Sequence, residues 1–284
     1  MTARPAREAR QPGSSGASTV RIAGVEISPL RRNDAVAAVL GLAGRGSAQL
    51  VVTPNVDHLV VLERDSEFAE AYEAAALRFA DGAPIVALSR LLRTPLPERV
   101  TGVDLTTALL GECERQHRSV YFLGGEPAIL EQAIVRIRAD YPYLRIVGSA
   151  APDVDLDHAT VEEQQALESC RAASPDLLFV FLGAPKQEKW FLRRAPQLPP
   201  AVVLAVGATV DFLAGAKRRA PRWVQSVGLE WLWRLVQEPG RLFRRYVVQD
   251  SRFLVIATRA LVHRYVRTAS PDSAPGNDGP GNDV

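Results

Sequence analysis

Four short runs in this chain are apolar at nearly every position: VVT at 51–53, VYFLG at 120–124, LLFVFLG at 177–183 and VVLAVG at 202–207. A strand apolar on both sides has no face to show to water, so it belongs inside a sheet covered by helices above and below. The surrounding pattern predicts strands at 20–23, 49–53, 77–80, 119–123, 144–148, 177–182 and 201–206. It predicts helices at 33–43, 56–63, 66–76, 83–91, 103–116, 127–139, 159–172 and 185–193. Strands that alternate with helices pair in parallel, because a parallel neighbour is reached only through a crossover. The expected fold class is α/β, a Rossmann-like, mostly parallel sheet with helices on both faces.

From about residue 216 the strand pattern stops. Helical stretches follow at about 221–226, 228–237, 239–248 and 250–266, separated by breaks that include Pro221 and Pro239. Residues 217–267 hold twelve Lys or Arg against three acidic residues, a net +9 in a chain whose formal total is +2. Trp223, Trp231, Trp233, Phe243, Tyr246, Phe253 and Tyr265 are interleaved with these cations. Cations beside amphipathic aromatics suit a surface that carries phosphates next to hydrocarbon. A solvated helical face and a nucleic-acid surface share that composition. The chain therefore divides into a tail at 1–18, a Rossmann-like body at 19–215, a basic helical appendage at 216–267 and a second tail at 268–284. Both tails are rich in Pro, Ser and Gly or Arg and are expected to be disordered. The first lacks the apolar run of a signal peptide. No stretch of about 18 uncharged apolar residues occurs. Two cysteines, Cys113 and Cys170, far apart in the chain, point to a reducing compartment.

Ligands of open parallel sheets gather at the carboxyl ends of the strands. Here those ends read Thr53-Pro54-Asn55, Asp81-Gly82, Gly124-Gly125, Gly183 to Glu188 and Gly207-Ala208-Thr209. Gly124-Gly125 allows close backbone approach to a diphosphate, with a helix N-terminus behind it; many such turns are Gly-rich for packing reasons alone. It is not the G-x-G-x-x-G fingerprint, which counts against a nucleotide-binding oxidoreductase. Lys186 suits a phosphate and Gln187 a sugar hydroxyl; a helix-starting turn with exposed charges is the plainer reading. Asp81 is a candidate general base, although Asp-Gly also makes turns. Thr53 and Asn55 stand beside it as hydrogen-bonding groups or as turn chemistry. Asp153, Asp155 and Asp157 imitate a metal-holding Asp-x-Asp pattern, but their place before a helix favours capping. The four histidines are scattered, and no nucleophilic Ser or Cys motif is present. Acid–base or electrostatic chemistry without a metal or cofactor is expected.

Six blocks, taken together, resemble the WecG/TagA/CpsF family of bacterial glycosyltransferases. They are TPNVDHLV (53–60), ADGAPIV (80–86), RVTGVDL (99–105), FLGG (122–125), GAPKQEKW (183–190) and the long stretch 207–246. The resemblance covers about 20–250. It implies an inverting transfer from a UDP-sugar to a polyprenyl-diphosphate-linked saccharide at the inner face of the plasma membrane, in cell-surface polysaccharide synthesis. It implies no metal and no nucleic-acid partner. It maps the base to Asp81, a Thr-x-Asn pair to Thr53 and Asn55, and an active-site Gln to Gln187. The arginines that stabilise the departing UDP map to Arg219 or Arg222, Arg234, Arg241, Arg244 and Arg245. Gly124, Gly125, Gly183, Lys186, Gly207 and Asp211 are the remaining candidates for donor binding. UDP-N-acetylmannosamine, its uronic acid and UDP-glucose are the donors implied. A non-catalytic basic module binding membrane or nucleic acid is the alternative outside enzymes.

Overall fold

The computed structural model describes residues 19–221, 224, 230–237, 240 and 251–269. A hairpin of β1 (Val20–Ile22) and β2 (Val25–Ile27) opens the chain. The sequence predicts one strand here. Instead Ala23 and Gly24 both take positive φ, 49° and 87°, and turn the chain back in two residues.

The body follows as α1 (Arg32–Leu40), β3 (Gln49–Val52), α2 (Val56–Leu62), α3 (Ser66–Ala74), β4 (Leu77–Arg78) and α4 (Ala83–Leu91). Then come α5 (Gly102–Arg115), β5 (Ser119–Gly124), α6 (Pro127–Asp140), β6 (Arg145–Ala150), α7 (Val161–Ala173), β7 (Leu177–Phe181), α8 (Lys186–Arg194), β8 (Val202–Ala205) and α9 (Thr209–Leu213). β3 to β8 form one six-stranded sheet in the order β4-β3-β8-β7-β5-β6, parallel at every junction. The expected fold class is the one observed. The connection leaving β5 runs to its neighbour β6 on one side, and that leaving β7 runs to β8 on the other. A topological switch point thus falls between β5 and β7.

Side chains alternate across the strands, and each set has its own core. Val51, Val120, Phe122, Phe179 and Leu204 face α1, α5, α6 and α9. Leu50, Tyr121, Leu178, Val180 and Val203 face α3, α7 and α8. Cys113 and Cys170 are buried, one in each core, and burial pushes each thiol up to about 12. Side-chain caps start the helices: Asn55 for α2, Asp65 for α3, Thr101 for α5 and Thr160 for α7. The cap of α7 is thus Thr160 and none of the three aspartates before it. Asp155 instead folds its own turn, accepting from the backbone N–H of Asp157 at 2.8 Å and of His158 at 3.4 Å.

Two helices of the basic segment are described, α10 (Glu230–Gln237) and α11 (Ser251–Ala269). α11 lies against the body. Ile256 is buried, and Phe253, Ala257, Ala260 and Leu261 pack on a third core made by Ile22, Ile27, Leu59, Ile85 and Leu88. Tyr265 donates to the carbonyl of Leu91 at 3.2 Å, and Arg93 stands over its ring. From sequence alone, Phe253, Leu254, Leu261 and Tyr265 can form one apolar stripe along this helix, free to meet a membrane; the structure divides them. Phe253 and Leu261 turn inward, because the hairpin, α2 and α4 present apolar surface that α11 covers, while Tyr265 stays 47% exposed at the edge of that contact. Leu254, Val255 and Val262 point outward instead. No helix among the described residues is long and apolar enough to cross a membrane.

Candidate active site at the carboxyl rim of the sheet

β3, β4 and β8 are neighbours, so the loops leaving them meet. Thr53 follows β3 and is buried. Asp81 follows β4; its amide donates to the carbonyl of Pro54 at 2.8 Å, which ties the two loops together. Its carboxylate Oδ2 accepts from the backbone N–H of Gly102 at 3.1 Å. Gly102 is the first residue of α5, a 14-residue helix, so the carboxylate sits at the positive end of that helix. A side chain there would be crowded. A Cβ on Gly102 would lie 3.2 Å from Thr53 Oγ1 and 3.5 Å from Thr209 Oγ1. Asp81, Thr53, Gly102 and Thr209 are thus one cluster built from two loops and two helix starts.

Gln187 joins it from α8. Its Oε1 accepts from the N–H of Gly207 at 2.9 Å, and its Nε2 donates to Glu188 Oε1 at 3.0 Å. Gln187, expected to meet a sugar, is 3% exposed and holds the turn after β8. Asn55 is half-buried, and its side-chain oxygen caps α2 through the N–H of His58 at 3.2 Å.

Gly124 and Gly125 both have left-handed φ, 92° and 82°, a region that favours glycine. The space beside them is filled. A Cβ on Gly124 would meet Leu182 at 2.8 Å, and one on Gly125 would meet Val210 at 3.3 Å. Close packing at the switch point accounts for both glycines. Gly183 has φ 75° and leads through a cis Ala184–Pro185 bond into α8, and the space beside it is open. Lys186 is half-buried at the first turn of α8; its charge, after two backbone hydrogen bonds, helps hold the Asp155 carboxyl below its usual range. Asp211 is tied to Lys217 by a 2.9 Å ion pair.

The basic segment reaches this cluster through Arg219. Both of its terminal nitrogens contact the Asp104 carboxylate, Nη2 to Oδ2 at 2.8 Å, and Nη2 also reaches Thr101 Oγ1 at 3.3 Å. Burial pushes the Asp104 carboxyl up, but the hydrogen bonds from Arg219 and Thr101 outweigh it and hold the group below its usual value. Thr101 and Asp104 form the first turn of α5, whose leading N–H holds Asp81. The positive segment therefore begins beside the candidate base. Arg222, Arg241, Arg244 and Arg245 lie outside the described residues, and Arg234 is placed on α10 by its backbone alone.

Sequence reasoning set Glu188 and Thr209 among the residues of the rim without giving either a role, and it missed Gly102 as a site residue. Thr101-x-x-Asp104 is a legible helix start; that its second residue is crowded by Thr53 and Thr209 follows only from residues distant in sequence. Also missed was a buried pair, His58 and Tyr72, whose ring nitrogen and hydroxyl lie 2.6 Å apart. Burial pushes the Tyr72 phenol well above its usual value, and the carboxylates of Glu188 and Asp81 push the same way, with Arg78 opposing. Surface cavities of about 540 Å³ beside α1 and α5, and of about 280 Å³ beside β6 and α7, involve none of the candidate residues. Among the described residues no group of three His, Cys, Asp or Glu is gathered as a metal site.

Comparison with known proteins gives the same direction. A model of the glycosyl transferase WecG/TagA/CpsF family matches residues 20–267. A Bacillus subtilis (strain 168) protein named N-acetylglucosaminyldiphosphoundecaprenol N-acetyl-beta-D-mannosaminyltransferase is 29% identical over 211 residues, 74% of this chain and 79% of the relative. A Bacillus spizizenii protein of the same name is 28% identical over 191 residues, 67% of this chain and 72% of the relative. With the family model spanning the sheet, the Asp81 cluster and the basic segment alike, the chain belongs to the WecG/TagA/CpsF family of glycosyltransferases.

Proposed function

We infer that this hexosyltransferase moves an N-acetylhexosamine-type sugar or a hexose from a UDP-sugar to a polyprenyl-diphosphate-linked saccharide, with inversion, in cell-surface polysaccharide synthesis. The observation that carries the reading is the Asp81 carboxylate, fixed by the Gly102 amide at the carboxyl rim of the sheet and flanked by Thr53. Asp81 takes the proton of the acceptor hydroxyl. The oxygen attacks the anomeric carbon from the face opposite UDP, and the bond from that carbon to the diphosphate oxygen breaks. One carboxylate suffices, because inversion in a single displacement needs one base. The leaving diphosphate gathers negative charge, which arginines stabilise by charge-assisted, bidentate hydrogen bonds. Arg222, Arg234, Arg241 and Arg244 are the residues we assign to this. Asn55 and Gln187 support the base and donor from adjacent turns, and Gly124, Gly125, Gly183, Lys186, Gly207 and Asp211 shape the donor side.

The names of the two relatives make UDP-N-acetylmannosamine the first donor to try and an N-acetylglucosaminyl diphosphate lipid the first acceptor. The outward Leu254, Val255 and Val262 of α11, beside exposed Arg252, Arg259 and His263, suit an anionic membrane surface and support the reading that the enzyme works at the inner face of the plasma membrane. The experiment is a screen of UDP-N-acetylmannosamine, its uronic acid and UDP-glucose with a short-chain acceptor, reading UDP release. Acceptor-dependent release from one donor is expected. No release from any of them, with or without anionic vesicles, would sink the reading.

A further inference from the structure

Glu188 is fully buried at the start of α8. Its Oε1 accepts from Gln187, and its Oε2 has no hydrogen-bond partner among the described residues. A buried carboxylate half-satisfied in this way costs the fold free energy that an apolar side chain of similar size would not. Docking of α8 does not require it. Trp190 is buried and donates to Glu163 at 2.8 Å, Lys189 pairs with Asp65, and Arg193 pairs with Glu67. An unsatisfied carboxyl oxygen in such a place calls for a role other than holding the helix.

What it touches leads to the active site without a gap. Glu188 binds the Nε2 end of the Gln187 carboxamide, and the Gly207 N–H binds the oxygen end. The carboxamide is thus clamped at both ends. Gly207 has a left-handed φ of 44°, which favours glycine, and a Cβ there would be in ordinary contact with Gly183 Cα at 3.4 Å, so the turns after β7 and β8 lie against each other. Two residues on, Thr209 stands with Thr53 against Gly102, whose N–H holds Asp81. We propose that Glu188 is a positioning residue, which by clamping Gln187 fixes the Gly207–Thr209 turn and through it the setting of Asp81. Burial pushes the Glu188 carboxyl up to about 7; in either protonation state Oε1 can accept from Gln187. The proposal rests on the reading of Asp81 as the base.

The test uses the full chain and two variants. Glu188→Leu keeps the volume and removes the acceptor; Glu188→Gln keeps an acceptor oxygen. Glu188→Leu is expected to melt at or above the wild-type temperature, yet to lose about tenfold or more in kcat with the donor KM changed less than about threefold. Glu188→Gln is expected to stay within about threefold of wild type. Hydrogen exchange across residues 202–213 should quicken in Glu188→Leu and not in Glu188→Gln. Wild-type kcat in Glu188→Leu, or kcat and melting temperature falling together in both variants, overturns the proposal, as does a Glu188→Leu chain that does not fold. If wild type turns over no donor, the functional reading fails by itself. Unchanged exchange at 202–213 then still overturns the role of Glu188, and quickened exchange still supports its clamp on the turn.

Discussion

Asp81 and Asp104 stand on either side of one helix start, and they do different things there. Asp81 takes the first N–H of α5 and is the proposed base. Asp81→Asn keeps the shape and loses the proton acceptor, so turnover should fall by about two to four orders of magnitude while UDP binding, read by calorimetry, is kept. Near-wild-type turnover would remove Asp81 from the mechanism. Asp104 serves the fold. Its carboxyl is held below its usual value, so its contribution is present above the unfolded-state pKa and is lost as pH falls through the folded one. Arg219→Gln should raise the Asp104 pKa, seen by NMR titration, and cost about 1–3 kcal/mol at neutral pH. An unmoved Asp104 titration would show that Arg219 is not its partner in solution. The types and order of these residues were legible in the sequence. Their pairings were not, because Gln187 to Gly207, Asp81 to Gly102 and Arg219 to Asp104 are all contacts between residues of different elements, 20 or more positions apart in the chain.

Among the elements, the buried strands were the clearest in sequence, since a run apolar on both faces has one destination in such a fold. Two elements escaped. The β1–β2 hairpin is hidden because its turn is only Ala23-Gly24. The five-residue α9 is too short to show a helical period. α11 was legible as a helix but not in its facing. A helix apolar on part of two sides has no preferred side until its neighbours are known, and here α2 and α4 decide. That facing yields a prediction separable from folding. Leu254→Glu with Val262→Glu alters only outward positions, so the stability change should stay within about 1 kcal/mol. Partitioning onto anionic vesicles should weaken about tenfold or more. Unchanged partitioning would assign membrane contact to other residues.

For the molecule as a whole, the charge separation read from the sequence now has a place: an acidic body meets a basic segment at Arg219, beside the proposed base. The proposed stabilisation of UDP by arginines has no need of a divalent ion. Asp155 is occupied with its own turn, and Asp157 with Arg193 at 2.8 Å. Turnover should therefore survive excess EDTA; loss of activity rescued by Mg²⁺ or Mn²⁺ would return the three aspartates to candidacy. The third core has a different consequence, one of timing. Ile22 and Ile27 enter it from the first hairpin, and Phe253 and Leu261 from the last helix, a separation of roughly 230 residues. A chain emerging from the ribosome makes its hairpin first and must keep that apolar patch uncovered until nearly the whole sequence has been synthesised. The helix that covers it is also the one that offers Leu254, Val255 and Val262 outward, so the surface proposed to meet the membrane is completed only in the same late event that finishes the enzyme.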